Sequence, residues 1–367
     1  MRILFVATPL IGHLFPMMPL AEYLHRSGQQ VAIATGGDAV VAGKAGIPVR
    51  DVWPRVPMLP AIARALAFHP RAAVRSGLGV ADADGAGRVF AHINRPAVEA
   101  VAQATKSFAP DLVVHEPFAA AGTVAAARYG IPSVLHNIAF DNGTRVCEQI
   151  LRHMGRTYPA PEPAAAISIA PPSLVSVPGR PMRPVPYSAP GACTPEDLLQ
   201  APSRPRILVT RSTMLGDGPD GMTASIIRAA PAVDAEFVIV RPNRRVQRAN
   251  DLPPNITTVG WTVLSDVLRN CHGVVNHGGA GSVYAALATG VPQIVTPAPG
   301  DRRWNATLVE RRGAGFSRRP RRIDPRSLTD LITGREVALA AKQVADEIAA
   351  MPSVEDVASE LIAMARP

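Results

Sequence analysis

Short apolar, β-prone runs alternate with longer helix-forming stretches along this chain, and the alternation occurs twice, once on each side of a proline-rich stretch. Such alternation lays successive strands parallel in one sheet with helices over both faces, which confines the chain to the α/β class. In the first half the pattern predicts strands at Arg2 to Thr8, Gln30 to Ala34, Asp111 to His115 and Ser133 to Leu135. Helices are predicted over Pro16 to Arg26, Arg88 to Ser107 and Ala119 to Tyr129, with Gly28 and Gly130 among the stop signals. From Tyr158 to Pro205 proline recurs every few residues, at Pro159, Pro161, Pro163, Pro171, Pro172, Pro184 and Pro186, so no regular helix persists there. The second half restarts at Arg206 to Thr210 and adds strands at Glu236 to Val240, Thr257 to Gly260, Gly273 to Asn276 and Gln293 to Thr296. Its helices fall near Met222 to Ala230, Leu264 to Asn270, Ser282 to Thr289 and Arg302 to Arg312, with others filling Pro325 to Ala365.

A chain of 367 residues exceeds one ordinary compact domain, and two halves of this α/β kind account for it. The expected organisation is a first domain over 1–183, a proline-rich linker over 184–205, a second domain over 206–350 and a closing helix over 351–367. Ligands of open parallel sheets bind beyond the carboxyl ends of the strands, so two facing halves place their chemistry in a cleft between those ends.

Composition narrows the function classes. With 47% hydrophobic and 18% charged residues the chain buries a large core, which excludes disorder and fibrous architecture. Thirty-eight basic against 29 acidic residues give a net charge of +9, which attracts phosphates, nucleic acid or an anionic surface without choosing among them. Aromatics are only 5%, no nucleic-acid-binding signature appears, and the arginines cluster only at Arg241 to Arg248 and Arg318 to Arg322, so nucleic acid is not the expected partner. Both basic runs read first as solvated surface, although the first follows a strand and can approach phosphates. Cys147, Cys193 and Cys271 are too few and too scattered for a disulfide framework or a zinc site. No apolar run reaches the length of a membrane span and the N-terminus lacks a cleavable signal, so the expected location is the cytoplasm, without membrane association.

The densest group of chemistry-bearing residues starts at Gly260-Trp261-Thr262. It continues through Val275-Asn276-His277-Gly278-Gly279-Ala280-Gly281-Ser282 to Pro297-Ala298-Pro299-Gly300-Asp301 and Asn305. A strand ending at His277, glycines that let backbone amides approach closely and a helix starting near Ser282 together form a pyrophosphate cradle. The same residues also fit a tight turn in which Ser282 caps the helix and His277 is core. His13 follows the first strand, where a neutral imidazole can take a proton from a hydroxyl, or it can cap the helix expected from Pro16. Glu116, in Val113-Val114-His115-Glu116-Pro117, can likewise cap the helix after Pro117.

These residues, with Gly12-His13-Leu14-Phe15-Pro16 behind the first strand and the block from Trp261 to Asn305, resemble the GT-B nucleotide-sugar glycosyltransferases. That family is α/β, with two Rossmann-like domains facing each other across a cleft. Within the UDP-glycosyltransferase superfamily the chain is similar to the actinobacterial antibiotic enzymes that transfer deoxysugars, such as the calicheamicin and macrolide glycosyltransferases. The resemblance spans essentially the whole chain. It implies an acceptor-binding first domain, a nucleotide-sugar-binding second domain and a closing helix that crosses back to the first. It further implies that Trp261 lines the base pocket with Thr262 beside it, that His277, Gly278, Gly279, Ala280, Gly281 and Ser282 hold the diphosphate, and that Asp301 contacts sugar hydroxyls. His13 matches the family's general base, and Glu116 stands where its acidic partner, usually aspartate, is found.

Three departures from the family pattern carry information. The Gly-Ser or Gly-Thr pair near the β-phosphate is replaced by Ser212-Thr213, after Arg211, so Thr213 matches, and Arg211 or Ser212 becomes a candidate phosphate contact. The Asp-Gln pair that reads the sugar is Asp301-Arg302, and arginine only donates where glutamine also accepts. The glutamate that holds ribose hydroxyls in UDP-using relatives is Ala285, which cannot accept from a 2′-hydroxyl and so favours TDP.

The expected reaction is therefore inverting transfer of a deoxysugar from a TDP-sugar to a hydroxyl of a hydrophobic natural-product aglycone, with His13 as base and Glu116 as its partner. The partners are the two small molecules, a homodimer is compatible, and neither a metal nor another cofactor is expected. Asp82-Ala83-Asp84 looks like the metal motif of the other glycosyltransferase architecture but sits among glycines in an expected solvated turn. Met17, Met18 and the stretch Met58 to Phe68 can line an acceptor pocket or pack the core. The rival functions are a nucleotide-sugar 2-epimerase, a non-catalytic auxiliary of another transferase, and an NAD-dependent oxidoreductase. The last is disfavoured because Thr8-Pro9-Leu10-Ile11-Gly12 is not the dinucleotide fingerprint.

Overall fold

The computed structural model describes residues 1–53, 74, 83–155, 158, 162–188, 191–212, 220–249 and 251–364. Thr213, Asp82, Pro159, Pro161 and the stretch 58–68 lie outside the described residues. The chain divides into two compact units. The first comprises 1–172, 176–190 and 351–367, and the second 173–175 and 191–350.

In the first unit seven parallel strands form one sheet: β1 (Arg2–Val6), β2 (Gln30–Thr35), β3 (Val49–Asp51), β4 (Leu112–His115), β5 (Ser133–His136), β6 (Ala165–Ser168) and β7 (Arg180–Pro181), in the order β3-β2-β1-β4-β5-β6-β7. The inner strands are buried from end to end and mostly apolar because helices cover both faces, as Leu112–His115 and Ser133–His136 show. Around the sheet lie α1 (Ile11–Leu14), α2 (Met18–Arg26), α3 (Ala83–Asn94), α4 (Val98–Phe108), α5 (Ala120–Arg128) and α6 (Gly143–Met154). The closing helix of the chain, Val354–Met364, packs on α2.

The second unit repeats the plan with β8 (Arg206–Thr210), β9 (Glu236–Val240), β10 (Ile256–Val259), β11 (Gly273–Asn276), β12 (Gln293–Val295) and β13 (Gly315–Ser317), ordered β10-β9-β8-β11-β12-β13. Its helices include α7 (Glu196–Leu199), α8 (Gly221–Ala229), α9 (Arg244–Gln247), α10 (Leu264–Leu268), α11 (Ala280–Thr289) and α12 (Arg302–Arg312), followed by Pro325–Thr333 and Arg335–Ala350. In each sheet the strand order reverses beside the first strand, at β1/β4 and at β8/β11. Such reversals splay the connections apart and leave room for a ligand at the carboxyl ends.

Several expectations need correction. The helix expected over Arg88 to Ser107 is two helices joined by a 3-10 turn at Arg95–Ala97, because Pro96 cannot donate to the helical ladder. The helix expected from Pro16 starts earlier as the single turn α1, and α11 starts at Ala280 rather than near Ser282. Asp84 is not in a solvated turn. It opens α3, pairs with Arg88 at 2.9 Å and His153 at 2.7 Å, and the His153 contact holds its carboxyl below the usual range. Met17 and Met18 are fully buried core residues rather than pocket lining. Among the described residues no helix is long and apolar enough to cross a membrane.

Candidate active site

Two groups of side chains occupy the two reversal points. In the first unit, Thr8 and His13 follow β1 and Glu116 follows β4, and the register that pairs Val6 with His115 brings these loops side by side. Glu116 is completely buried. Its Oε1 accepts from the Thr8 amide at 3.1 Å and the Thr8 hydroxyl at 2.9 Å, and its Oε2 accepts from the Phe118 amide at 2.7 Å. Helix α5 has no side-chain cap, so Glu116 holds the connecting turn instead of capping the helix.

His13 lies within α1 and does not cap it. Its Nδ1 is 2.8 Å from the Thr8 hydroxyl and 3.2 Å from Glu116 Oε1. The Thr8 hydroxyl gives its single hydrogen to Glu116, so toward His13 it can only accept, and Nδ1 must carry the ring proton. That tautomer leaves a lone pair on Nε2. Phe90 and Phe118 pack against the imidazole at 5.9 and 4.9 Å between ring centres, so the ring faces apolar walls. The glutamate's extra methylene, compared with the usual aspartate, does not prevent contact because the Phe118 amide anchors its far oxygen. Thr8 is the residue the sequence reading missed. A threonine soon after a β-strand offers no signal of its own.

In the second unit, β8 leads into Arg211 and Ser212, β9 into Arg241, β10 into Trp261, and β11 into His277 and the glycines. The turn is built from inside: Asn276 Oδ1 accepts from the Gly278 amide at 2.9 Å, and Asn305 Nδ2 donates to the Gly278 carbonyl at 2.8 Å and to Asp301 Oδ2 at 3.0 Å. Gly278 has φ +83°, and a Cβ there would meet the Arg302 backbone oxygen at 3.0 Å. A Cβ on Gly279 would meet His277 Nε2 at 2.4 Å, whereas one on Gly281 would meet nothing within 4 Å. Gly278 is thus demanded by the turn itself and Gly279 by the placement of the His277 ring, whereas Gly281 leaves open space. No side chain caps α11, whose N-cap is Gly279, so Ser282 is not the cap and the first amides of the helix lie beyond its internal ladder.

His277 Nδ1 is buried without a hydrogen-bond partner. Burial, aided by the charge of Arg302, pulls the imidazole down to about 4, so it is uncharged at neutral pH. Arg302 Nη2 donates to the Ser212 hydroxyl at 3.1 Å. Arg211, a candidate phosphate contact, is instead committed to a buried ion pair with Asp220 at 2.9 Å and to the Arg241 carbonyl at 3.0 Å. Arg241 is no solvated loop residue: its guanidinium lies 4.0 Å over the ring of half-exposed Trp261. Thr262 is buried and its hydroxyl donates to Thr194 at 3.0 Å. Ala285 is 1% exposed in an apolar cluster with Val240 and Val267, and it presents only a methyl group. Among the described residues no group of three His, Cys, Asp or Glu side chains is placed to hold a metal ion.

Residues 24–212 match the N-terminal domain of the erythromycin biosynthesis protein CIII-like family, and residues 224–364 match its C-terminal domain. The elloramycin glycosyltransferase ElmGT of Streptomyces olivaceus is 36% identical over 98% of this chain and 97% of its own length. The L-demethylnoviosyl transferase of Streptomyces niveus is 32% identical over 100% and 99%. Among solved structures, the glycosyltransferase SnogD of Streptomyces nogalater superposes with a TM-score of 0.86 at 30% identity, covering 99% of this chain and all of that one. VinC, solved in complex with DTDP, does so at 0.80 and 25% identity, covering 100% and 99%. The chain therefore belongs to the EryCIII-like antibiotic deoxysugar glycosyltransferases, enzymes of the GT-B class built on two Rossmann-like domains.

Proposed function

We propose that this glycosyltransferase moves a deoxysugar from a TDP-sugar to a hydroxyl of an apolar natural-product aglycone, inverting the anomeric carbon. The observation that carries the proposal is the Thr8–Glu116–His13 array, which fixes the proton on Nδ1 and leaves Nε2 basic beside Phe90 and Phe118. The acceptor oxygen attacks the anomeric carbon while its proton passes to His13 Nε2. The bond from that carbon to the β-phosphate oxygen breaks, and its electron pair leaves with TDP. Glu116 stabilises the imidazolium that forms. A single displacement inverts the centre.

The diphosphate is taken by the turn from His277 to Ser282, where the amino end of α11 favours negative charge, and the base stacks on Trp261. Asp301, positioned by Asn305, reads the sugar. Ala285 and the DTDP in the VinC structure support thymidine over uridine as the nucleoside. The reaction as written uses no metal ion. Calorimetry with TDP and UDP, paired with transfer assays on His13→Ala, tests the proposal. The expected result is tighter TDP binding, and a variant that still binds TDP but has lost transfer. Preference for UDP, or full turnover by His13→Ala, overturns it.

A further inference from the structure

We infer that Arg302 and Ser212 act together as the diphosphate clamp of this enzyme, with Arg302 supplying the positive charge that stabilises the departing TDP. The inference rests on the TDP-sugar reading above.

Ser212 and Arg302 are two of the three places where the chain departs from its family around the donor, and although 90 positions apart they touch, with Nη2 of Arg302 3.1 Å from Oγ of Ser212. A serine in place of glycine hinders close backbone approach to a phosphate. Its hydroxyl instead anchors a longer side chain that can bridge the gap. Arg302 is wedged against the cradle, since the Cβ a residue at 278 would carry meets Arg302 Cβ and its carbonyl oxygen at 3.0 Å. A guanidinium has five N–H donors in a planar fork, so it can keep one on Ser212 and turn two others to phosphate oxygens.

The other cationic candidates are otherwise engaged. Arg211 is neutralised by Asp220, and Arg241 lies on Trp261. His277 is uncharged, so it offers hydrogen bonding but no charge, while its buried Nδ1 remains unpartnered. As the sugar leaves, the diphosphate gains one negative charge, and a fixed guanidinium stabilises that charge more in the transition state than before it.

The test is calorimetry with TDP and with thymidine on the wild type, Arg302→Gln, Arg302→Lys and Ser212→Ala, followed by transfer kinetics. Arg302→Gln, which restores the family's residue, is expected to weaken TDP about 10- to 100-fold while leaving thymidine unchanged. Arg302→Lys should fall between, Ser212→Ala should show a smaller loss in the same direction, and kcat should fall with Arg302→Gln. Equal TDP affinity in Arg302→Gln and wild type overturns the inference, as does an equal loss for thymidine or a loss confined to the TDP-sugar. If wild type binds neither TDP nor UDP, the donor reading itself fails, and that outcome is distinct from the others.

Discussion

His13 Nδ1 stands 3.2 Å from Glu116 Oε1, and the Thr8 hydroxyl lies within hydrogen-bond reach of both. The carboxylate cannot rotate away, because two backbone amides hold its two oxygens from either end. Glu116→Gln must place an amide NH2 against at least one N–H donor. Stability is expected to drop by about 1–3 kcal/mol, the cost of an unsatisfied buried group, read as a lower Tm. Transfer should fall roughly 100-fold or more through loss of base orientation, with TDP affinity unchanged because Glu116 belongs to the other unit. An unchanged kcat would remove Glu116 from the mechanism.

Thr8→Val is nearly isosteric and keeps the backbone amide that binds Glu116. It removes only the hydroxyl that accepts from Nδ1 and donates to Oε1. The expected signature is a lower kcat with the KM for donor unchanged, smaller than the effect of Glu116→Gln. A change in KM alone would assign Thr8 to substrate contact instead.

The sheets were legible wherever a strand is buried on both faces, since such strands carry a near-continuous apolar run. Arg206–Thr210, Glu236–Val240 and Gly273–Asn276 have the bounds their β-branched runs predict. The short β3, β6, β7 and β13 left no such run: Val49–Asp51 has two exposed residues and Ala165–Ser168 is alanine-rich. Helix α6 was also missed, although Asn142 caps it by accepting from the Arg145 amide. Residue types and spacing predicted the strand that ends before His277 and the helix that its glycines lead into. They did not reveal that Arg211 is held by Asp220, because the partner stands nine positions on and no periodicity marks the pair.

Arg211 and Asp220 are 4% and 7% exposed, and Asp220 also caps α8 through the amides of Met222 and Thr223. Asp220→Asn leaves a buried guanidinium uncompensated, which costs about 3–5 kcal/mol. The variant should show a marked loss of Tm, and the double variant Arg211→Met with Asp220→Asn should recover part of it. A Tm within a degree or so of wild type would show the pair to be dispensable.

His115 and His136 are completely buried, and burial pulls each from 6.5 down to about 4. The folded rings stay neutral while the unfolded chain takes up protons below 6.5, so the unfolded state binds more protons between 6.5 and 4. Stability from these rings is full above 6.5, declines as pH falls through that window, and levels off below 4. The upper bound is on the order of 3 kcal/mol per histidine. His136→Asn keeps a donor for the Asn137 carbonyl that His136 Nδ1 now faces at 2.8 Å, and it should flatten part of the slope in denaturant titrations run across this range. A slope identical to wild type would mean that His136 is not among the groups that titrate on unfolding.

Trp261 is 51% exposed, and the Arg241 guanidinium carbon lies over its ring at 4.0 Å from the centre, so the face of this ring already takes a partner. A nucleobase is flat, and stacking on an aromatic side chain contributes about 1–3 kcal/mol per base. Because the ring is so exposed, Trp261→Ala should leave Tm nearly unchanged while weakening thymidine and TDP by the same factor, roughly 10- to 100-fold. That common factor separates Trp261 from Arg302, whose replacement is expected to weaken TDP alone. Calorimetry with both ligands distinguishes the two patterns, and a Trp261→Ala protein that binds thymidine as tightly as wild type would place the base elsewhere.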